Sequence, residues 1–327
     1  MSALGEFDLI ARYFTRTPKR AVLGVGDDCA LLAPLPTGQQ LAVSSDMLVE
    51  GRHFLSTVLP ERLGHKALAV NLSDLAACGA EPLAFTLALA MPRVDEACLE
   101  GFARGMFALA DEHGIELVGG DTTAGPLNIC ITVFGAAPAG QALLRSGARA
   151  GDDIWVSHPL GGGLGDARLA LEVFRGRLSL AGEAFEAVRA RMECPEPRVA
   201  LGLALRGIAT SAIDLSDGLV GDLGHVLARS GVGATLNADA LPRSAVLAAQ
   251  ARALQYECGL AGGDDYELLF TAAAGSEREV RAAADHAGVA VTRIGTVDTE
   301  PGLRLTDANG AALAGRFAAF DHFLTEP

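Results

Sequence analysis

Aspartate recurs in five segments where an apolar run meets a glycine or serine turn. These residues are Asp27 and Asp28, Asp46, Asp74, Asp121, and the pair Asp214 and Asp217. An aspartate in a single loop is most often a turn or cap residue, because its side chain accepts hydrogen bonds from nearby backbone N–H groups. Carboxylates that follow several different strands can also converge. The set therefore indicates either ordinary turns or one acidic site that binds cations.

Asp74 is the hardest of these residues to explain as a cap. It lies within LAVNLSDLAA, residues 68–77, which we interpret as a helix that is apolar on most sides. A buried carboxylate is costly unless it is protonated or meets a cation. Asp74 could face solvent or pair with Lys66 or Arg52, but we favour a bound metal ion.

The chemical types of the candidate ligands indicate which metal ion they would bind. Aspartates with the hydroxyls of Ser44 and Ser45 beside them are hard oxygen donors, which suit Mg²⁺ or Ca²⁺ rather than zinc. No EF-hand spacing is present, and scattered carboxylates suit Mg²⁺ that is shared with substrate phosphates. Two like charges about 4 Å apart repel by roughly 4 kcal/mol at an effective dielectric of about 20. An acidic site that faces a polyphosphate therefore needs cations, and the pattern predicts Mg²⁺-dependent phosphoryl transfer.

The composition narrows the classes of partner. A chain of 327 residues has room for about two domains, each with its own core. The formal net charge of −14 argues against nucleic acid as a partner. Lys19 and Lys66 are the only lysines, and neither follows the glycine that a Walker A phosphate loop requires.

Features of targeting or membrane segments are not found in the sequence. The longest apolar stretch, residues 83–91, is far shorter than the roughly 18 to 20 residues that span a bilayer. Glu6 and Asp8 stand where a secretory signal would need a basic segment followed by an apolar one. The cysteines form no C-x-x-C pair of the kind that binds zinc or acts as a redox dithiol. We expect a cytoplasmic protein without a membrane segment.

Hydrophobic periodicity predicts mixed α and β elements in two successive domains. Predicted helices cover residues 7–14, 64–78, 96–113, 197–208, 217–229 and 277–287, and a further helix passes through Arg168 and Leu171. Predicted strands cover residues 21–25, 41–43, 115–118, 154–156, 212–215, 267–271 and 289–294, and the first three are each followed by an acidic loop. A segment rich in Ala, Gly, Pro and Arg predicts a junction near Gly147, which gives domains of residues 1–147 and 148–327. The glycine-rich run 161–165 lacks the Walker lysine and the G-x-G-x-x-G spacing, so we interpret it as a flexible loop.

A series of short motifs gives the chain a family resemblance. They are GEF (5–7), GDDCA (26–30), SD (45–46), HF (53–54), KALAVNLSDLAA (66–77), GGDTT (119–123), DLSDGL (214–219) and GGDDYEL (262–268). Single motifs such as GGD are shared across the wider aminoimidazole-ribonucleotide-synthetase-like superfamily. The ordered set resembles the thiamine-monophosphate kinase family from residue 5 to residue 322.

This resemblance implies an α/β (α+β) fold of two domains with the active site between them. The N-terminal domain would bind ATP and Mg²⁺, and its sheet would pair with that of a second subunit in a homodimer. The implied reaction is direct, in-line transfer of the γ-phosphoryl group of ATP onto thiamine monophosphate, assisted by several Mg²⁺ ions. It yields thiamine diphosphate and ADP, the last step of thiamine diphosphate biosynthesis, without a phosphoenzyme. Neither nucleic acid nor a membrane is an implied partner.

The resemblance also assigns roles to individual residues. The implied metal ligands are Asp28, Ser44, Ser45, Asp46, Asp74, Asp121, Asp214 and Asp217, of which we expect Asp74, Asp121 and Asp217 to be catalytic. The implied nucleotide-binding residues are Gly120, Asp121, Arg145 and Ser216, and the implied substrate-binding residues are His53, Asp264 and Phe320. The family commonly has Glu in place of Asp264, and often Trp or Tyr in place of Phe320 or its neighbour Phe317.

Less specific interpretations stay open for some of these residues. Arg145 could be a surface arginine, His53 a loop histidine, and Phe317 and Phe320 core residues. A superfamily relative with another phosphate acceptor, a Mg²⁺-dependent phosphohydrolase, and a protein that binds Mg-ATP without turnover are the alternative functions. A selenophosphate synthetase would need a reactive Cys or selenocysteine in an N-terminal glycine-rich segment, which this sequence lacks.

Overall fold

A computed structural model describes residues 5–313, 315 and 317. These described residues divide into two compact units: unit 1 comprises residues 5–75 and 80–140, and unit 2 comprises residues 76–79 and those from 141 onward. Each unit has one sheet and several helices, which confirms the predicted mixed α/β class. Among the described residues, every helix is too short or too polar to cross a membrane.

Unit 1 is built around a four-stranded sheet. In chain order its elements are α1 (Glu6–Leu9), a π-helical turn (Ile10–Phe14), β1 (Gln39–Val49), most of α2 (Pro60–Ala77), β2 (Glu81–Met91), α3 (Glu96–His113), β3 (Glu116–Ala124) and β4 (Asn128–Pro138). The strand order is β1-β4-β2-β3, so β1 and β3 form the two edges of this sheet. Strand β4 is antiparallel to β1 and β2, whereas β3 is parallel to β2.

The two faces of this sheet differ in their exposure. Cross-strand partners such as Leu87 and Ile131 share one face, and both are buried. On the other face β1 presents apolar side chains that include Val43 and Met47, which are 57% and 55% exposed. Because successive residues of a strand point to opposite faces, this alternation gives unit 1 one buried face and one open face.

Helix α3 shows how local sequence sets the elements of unit 1. It begins at the cap residue Asp95, whose carboxylate accepts the Cys98 N–H at 3.1 Å, and it ends at Gly114 in the left-handed conformation. Its buried face includes the predicted residues Leu99, Phe102, Met106 and Ala110. A Cβ on Gly105 would lie 1.8 Å from the carbonyl oxygen of Glu61. Glycine therefore allows the backbones of α2 and α3 to pack in direct contact.

Unit 2 is built around a six-stranded sheet. Its elements are β5 (Asp153–His158), α4 (Asp166–Phe174), α5 (Gly182–Glu193), α6 (Val199–Ala204), β6 (Ala209–Asp214), α7 (Leu219–Ser230), β7 (Gly233–Asn237), α8 (Ala245–Ala248), α9 (Arg252–Ala261), β8 (Leu268–Ala272), α10 (Glu277–Ala287), β9 (Ala290–Asp298) and β10 (Gly302–Thr306), with 3₁₀ turns at Ala238–Ala240 and Ala274–Ser276. The strand order is β10-β7-β9-β5-β8-β6. Side chains including Ile154, Leu223 and Leu269 form its core.

The strand directions bring several motifs of unit 2 to one end of its sheet. Strands β5 and β6 are both antiparallel to β8, so they finish where β8 begins. His158, Asp214 and Leu268 mark this end, which we call the site rim. The glycine-rich run, the DLSDGL motif and the GGDDYEL motif all lie at the site rim.

Three local predictions for unit 1 are wrong. Residues 21–25 form no named strand, only isolated bridges from Leu23 to Leu31 and from Val25 to Asp27. Residues 44–46 and 119–121, predicted as loops, instead continue strands β1 and β3. Pairing with β4 and with β2 satisfies the backbone there, so the tertiary context overrides the local turn signal of Gly, Ser and Asp. The strands β2, β4, β7 and β10 and the helices α5, α8 and α9 were not predicted.

Candidate active site

Ser44, Asp46 and Asp74 come together where β1 meets α2. Ser44 and Asp46 are two residues apart on β1 and therefore share a face of the strand. The Ser44 hydroxyl donates to the Asp74 carboxylate, and the Asp46 N–H donates to Asn71 Oδ1 at 3.0 Å. Asn71 is fully buried and donates through its amide to the Ala67 carbonyl oxygen one turn earlier in α2. The mid-helix position of Asp74 is as predicted, and Ser44 is a hydrogen-bond partner that the sequence analysis did not identify.

Ser45 lies on the opposite face of β1 from Ser44 and Asp46. Its hydroxyl is 2.9 Å from the Thr132 hydroxyl and donates to the Ile131 carbonyl oxygen at 3.2 Å. It is also 3.6 Å from the Cys130 sulfur. The side chains of the two adjacent serines therefore point to opposite faces of the sheet.

The donor set at β1 and α2 fits a magnesium ion that is shared with a substrate. Among the described residues, no group of three or more His, Cys, Asp and Glu side chains is arranged to hold a metal ion. A dedicated protein cage is thus not formed by them. Mg²⁺, however, is usually bound by one or two carboxylates together with waters and substrate phosphates. The oxygen atoms of Asp46, Asp74 and Ser44 are hard donors of the kind that such an ion would take.

Gly120 and Asp121 lie on β3, at the other edge of the sheet from β1. Gly120 has a φ of +146°, and a Cβ there would lie 1.8 Å from the Leu87 carbonyl oxygen. The close approach of β2 and β3 thus requires glycine, whether or not a nucleotide binds. Asp121 is exposed, and it lies opposite Ala88 in the register of β2 and β3, which places it on the open face of the sheet. Unit 1 alone therefore does not bring Asp121 and Asp46 together, because they occupy opposite edges and opposite faces.

Asp28 and His53 lie in loops of unit 1. Asp28 is exposed, and its N–H donates to Asp27 Oδ1 at 2.9 Å. His53 follows β1 and accepts the Val49 N–H on Nδ1 at 3.0 Å. A neutral imidazole that accepts on Nδ1 carries its proton on Nε2, so this hydrogen bond fixes the tautomer and the ring orientation of His53.

Asp214, Ser216 and Asp217 occupy the site rim of unit 2. Asp214 ends β6 and is 5% exposed, whereas Ser216 and Asp217 lie in the turn before α7 and are half-buried. Behind this turn, Asp222 Oδ2 accepts the N–H groups of Asp217 and Gly218 at 3.2 and 3.1 Å. Burial, reinforced by the charge of Asp217, raises the pKa of Asp222 to about 7.

The GGDDYEL segment runs beside the same turn and carries two strained residues. Asp264 and Tyr266 have φ values of +71° and +50°, which are uncommon for non-glycine residues and rarest for bulky ones. Their N–H groups donate to the carbonyl oxygens of Ser216 and Leu215, both at 2.8 Å. These hydrogen bonds hold the strained backbone and place Asp264 at the site rim. Backbone strain that is fixed in this way is common at functional sites.

Asp265 lies between the two strained residues and binds the glycine-rich run. Its carboxylate accepts the Gly165 N–H at 2.9 and 3.2 Å. Burial raises the pKa of Asp265 well above its ordinary value. The Leu164 N–H donates to the Pro242 carbonyl oxygen. Because both amides already have partners, and the acidic Asp166 follows directly, the run does not resemble a phosphate loop.

Glu267, at the end of the same segment, is the centre of a buried ion network. It is 1% exposed and accepts two hydrogen bonds from Arg198, at 2.7 and 2.5 Å. Ser157 donates to it at 2.6 Å, and Arg191 lies at 3.3 Å. Buried charges that are paired in this way fix the position of the strand start and hence of the residues before it.

The remaining predicted residues lie outside these groups. Arg145 is exposed beside β6, and its carbonyl oxygen accepts a hydrogen bond from Ser230 at 3.4 Å. Phe320 lies outside the described residues. Sequence reasoning did not single out Asn71, Asp222 or Asp265 as functional residues. The available signal for Asn71 was a polar residue at an otherwise apolar helix position. The signal for Asp222 was an acidic residue in the first helical turn after a glycine.

Comparison with known proteins finds relatives that match the chain over nearly its whole length. The AIR synthase related protein family matches in two parts, its N-terminal domain over residues 26–137 and its C-terminal domain over residues 149–308. A thiamine-monophosphate kinase of Salmonella typhimurium is 45% identical over 332 aligned positions, which cover 99% of each chain.

Solved structures of thiamine-monophosphate kinases are similar to this chain as well. The crystal structure of a thiamine-monophosphate kinase from Stenotrophomonas maltophilia matches with a TM-score of 0.83 and 45% identity, covering 93% of this chain and 95% of that one. A structure described as AaThiL complexed with AMPPCP and TMP matches with a TM-score of 0.74 and 28% identity, covering 89% and 90%. By full-length similarity and by fold, the chain belongs to the thiamine-monophosphate kinase family of enzymes.

Proposed function

We propose that this enzyme transfers the γ-phosphoryl group of ATP directly to thiamine monophosphate, giving thiamine diphosphate and ADP. The observation that carries the proposal is the full-length similarity to thiamine-monophosphate kinases, at 45% identity over 99% of both chains. A similar chain was solved with AMPPCP and TMP, which agrees with ATP and thiamine monophosphate as the two substrates. ATP would act as a co-substrate and magnesium as the cofactor.

We assign the metal-binding role to the oxygen ligands of the two units. In unit 1 these are Asp28, Ser44, Ser45, Asp46, Asp74 and Asp121, and in unit 2 they are Asp214 and Asp217. Magnesium bound there would neutralise the charge on the phosphate oxygens. The Ser44 hydroxyl, which donates to Asp74, orients that carboxylate before substrates arrive. The Asp46 N–H, which donates to Asn71 Oδ1, fixes the β1 backbone that carries Asp46.

The chemistry needs no general base from the protein. The acceptor is a phosphate monoester, whose second pKa of about 6 leaves it largely dianionic at neutral pH. It can therefore attack without losing a proton to the enzyme. The protein's contribution is to position the two substrates and to offset their charge. We assign nucleotide contacts to Gly120, Asp121, Arg145 and Ser216, and substrate contacts to His53, Asp264 and Phe320.

Product analysis tests the reaction. Purified protein is incubated with Mg-ATP, with and without thiamine monophosphate, and the products are separated by anion-exchange chromatography. We expect equal amounts of ADP and thiamine diphosphate, formed only when both substrates are present. Phosphate release without the acceptor would indicate a phosphohydrolase, and bound but unchanged ATP would indicate a nucleotide-binding protein. Turnover with a different acceptor only would indicate a superfamily relative.

The stereochemistry at phosphorus tests the in-line step. ATP with a chiral, isotopically labelled γ-phosphate is used as the donor. A single direct displacement inverts the configuration, whereas a phosphoenzyme intermediate would give two displacements and overall retention. Retention would contradict the direct transfer proposed here.

We further propose that the enzyme is a homodimer joined through the open face of the unit 1 sheet. The exposed apolar side chains on that face of β1 support this, because monomeric proteins rarely expose contiguous apolar surface. Val43→Asp places a charge on this face and is expected to yield monomers in sedimentation equilibrium. Val94→Asp is the matched control, since Val94 is 45% exposed but lies outside the sheet. A dimer that survives Val43→Asp unchanged would place the interface elsewhere.

A further inference from the structure

The turn between β6 and α7 is supported from behind by a buried carboxylate. Asp222 is 3% exposed, and one oxygen of its side chain accepts the N–H groups of both Asp217 and Gly218. Gly218, the cap residue of α7, has no side chain that could accept them. The Asp222 N–H itself donates to the Gly218 carbonyl oxygen at 3.0 Å. Asp222 is thus bonded to the turn through its backbone and its side chain.

An ordinary helix cap does not account for this degree of burial. Capping carboxylates are usually exposed, whereas a carboxylate that loses its water must recover the lost free energy through hydrogen bonds. Asp222 is also close enough to Asp217 for their charges to interact unfavourably. This charge repulsion lowers stability relative to a neutral residue that keeps the same hydrogen bonds. Its benefit is a backbone that is fixed at Asp217 and Gly218.

The opposite side of the turn is bonded to a different segment. The Ser216 carbonyl oxygen accepts the Asp264 N–H, and the Leu215 carbonyl oxygen accepts the Tyr266 N–H. The turn is therefore held between the GGDDYEL segment and Asp222. Changing Asp222 releases one side of the turn and leaves the hydrogen bonds to Asp264 and Tyr266 in place.

We propose that Asp222 is a positioning residue that fixes the Ser216–Asp217–Gly218 backbone for Mg-nucleotide binding. It acts through the hydrogen bonds to Asp217 and Gly218 and touches no substrate. The proposal rests on the function proposed above, in which Asp217 binds metal and Ser216 contacts the nucleotide. It predicts an effect on the nucleotide that is larger than the effect on thiamine monophosphate.

Two substitutions separate hydrogen bonding from charge. Asp222→Asn keeps an oxygen that can accept both N–H groups, so we expect the dissociation constant for Mg-AMPPCP to change by less than about threefold. Asp222→Ala removes the acceptor, and we expect that constant to rise about tenfold, as the loss of a charge-assisted hydrogen bond predicts. In the same variant KM for Mg-ATP should rise by a similar factor, while KM for thiamine monophosphate changes less than threefold.

Asp152 provides the matched control. It is 5% exposed, and its carboxylate accepts the Arg149 N–H at 2.9 Å and the Thr210 hydroxyl at 2.6 Å. It precedes β5, at the end of the sheet opposite the site rim. Asp152→Ala should lower thermal stability as Asp222→Ala does, yet leave nucleotide binding unchanged. An equal change in both variants would show that Asp222 acts only through general stability.

Hydrogen exchange gives a readout that does not depend on catalysis. Without any ligand, Asp222→Ala should speed exchange in the peptide that contains Asp217 and Gly218, and Asp222→Asn should not. If Asp222→Ala does not fold, Asp222→Ser, which is too short to reach both N–H groups, must show the same exchange and binding pattern. Unchanged Mg-AMPPCP affinity in the folded Ala or Ser variant overturns the proposal. Absence of kinase activity in the unaltered enzyme would instead refute the proposed function, because the exchange and binding measurements remain valid without turnover.

Discussion

The two units prepare their candidate residues in different ways. In unit 1, Ser45 and Asp121 lie on a sheet face that is open within the unit, among exposed apolar side chains. In unit 2, the loops that carry Asp217 and Asp264 are held by buried carboxylates and by backbone hydrogen bonds to each other. The comparison teaches that unit 2 fixes its own loops, whereas Ser45 and Asp121 of unit 1 lie on a face that unit 1 does not cover.

This difference separates effects on stability from effects on binding. Substitutions that remove the support of the site rim should unfold unit 2 or loosen its loops. Substitutions of the ligands that we propose in unit 1 should leave stability nearly unchanged and remove activity. The expected effects below run from the largest to the smallest.

The largest expected effect on stability is at Glu267. Glu267→Gln leaves the buried Arg198 without its full counter-charge, and breaking a buried ion pair costs about 3–5 kcal/mol. Urea unfolding should show this loss in the unit 2 transition. Glu277→Gln is the control, because Glu277 forms an exposed i,i+4 pair with Arg281 whose removal costs at most about 1 kcal/mol. Equal losses in the two variants would mean that the site rim is not held by its buried charges.

Asp74→Asn should have the largest effect on activity. It keeps the shape of the side chain but removes a charge that we assign to magnesium binding, so kcat/KM should fall by about 10²–10³. The unfolding midpoint should stay close to that of the unaltered enzyme. Asp111→Asn changes an exposed carboxylate on α3 that pairs with Arg16, and this variant should retain full activity. Full activity in Asp74→Asn would remove Asp74 from the metal site.

Gly120→Ala tests whether the packing of β2 and β3 alone requires glycine. The added Cβ would clash with the Leu87 carbonyl oxygen and would also impose a positive φ on alanine, so we expect a loss of about 3 kcal/mol. Gly114→Ala carries only the cost of positive φ, about 1 kcal/mol, because no atom lies within 4 Å of its added Cβ. Denaturation of both variants without nucleotide provides the measurement. Similar losses at the two positions would contradict the close approach at Gly120.

The smallest expected effect is the pH dependence at Asp166. Burial raises the folded-state pKa of Asp166 above its ordinary value of 3.8. Its contribution to stability is therefore fully present below that pH and is lost as the pH rises through the folded-state pKa. Relative to the unaltered enzyme, Asp166→Asn should therefore gain stability as the pH rises from 4 to 8.

Asp298 should show the opposite pH dependence of stability. Burial alone would raise the pKa of Asp298, but hydrogen bonds from Thr235 and Arg304 outweigh it and lower the pKa. Its stabilising contribution is present above the unfolded-state pKa and is lost as the pH falls. Asp298→Asn should therefore lose stability relative to the unaltered enzyme as the pH rises. Unfolding free energies measured at each pH decide the sign, and parallel pH curves for the two variants would contradict this assignment.

Much of the local structure could be predicted because it is encoded by neighbouring residues. The 3.6-residue period of Leu99, Phe102 and Met106 and the stop at Gly114 locate α3 within the sequence. The predicted helix over residues 277–287 has the observed bounds of α10. The acidic residues and their motifs likewise gave the family and a specific set of candidate ligands.

The strands of unit 1 were harder to predict because their pairing is nonlocal. Gly119, Gly120 and Asp121 form a turn signal, yet β2 pairs with them and extends them as a strand. The Ser44 partner of Asp74 and the Asn71 partner of Asp46 lie 30 and 25 residues away along the chain. No periodic pattern reports such contacts.

The sequence by itself determined which side chains are available for chemistry: hard oxygen ligands, few lysines, and a helix that carries Asp74 among apolar residues. Only the tertiary structure decided which of them meet. Strand order put Asp46 and Asp121 at opposite edges of one sheet, and chain folding placed Asp222 behind Asp217. The physical reason is that residue type and helical period are local properties, whereas strand order and burial depend on contacts between distant segments.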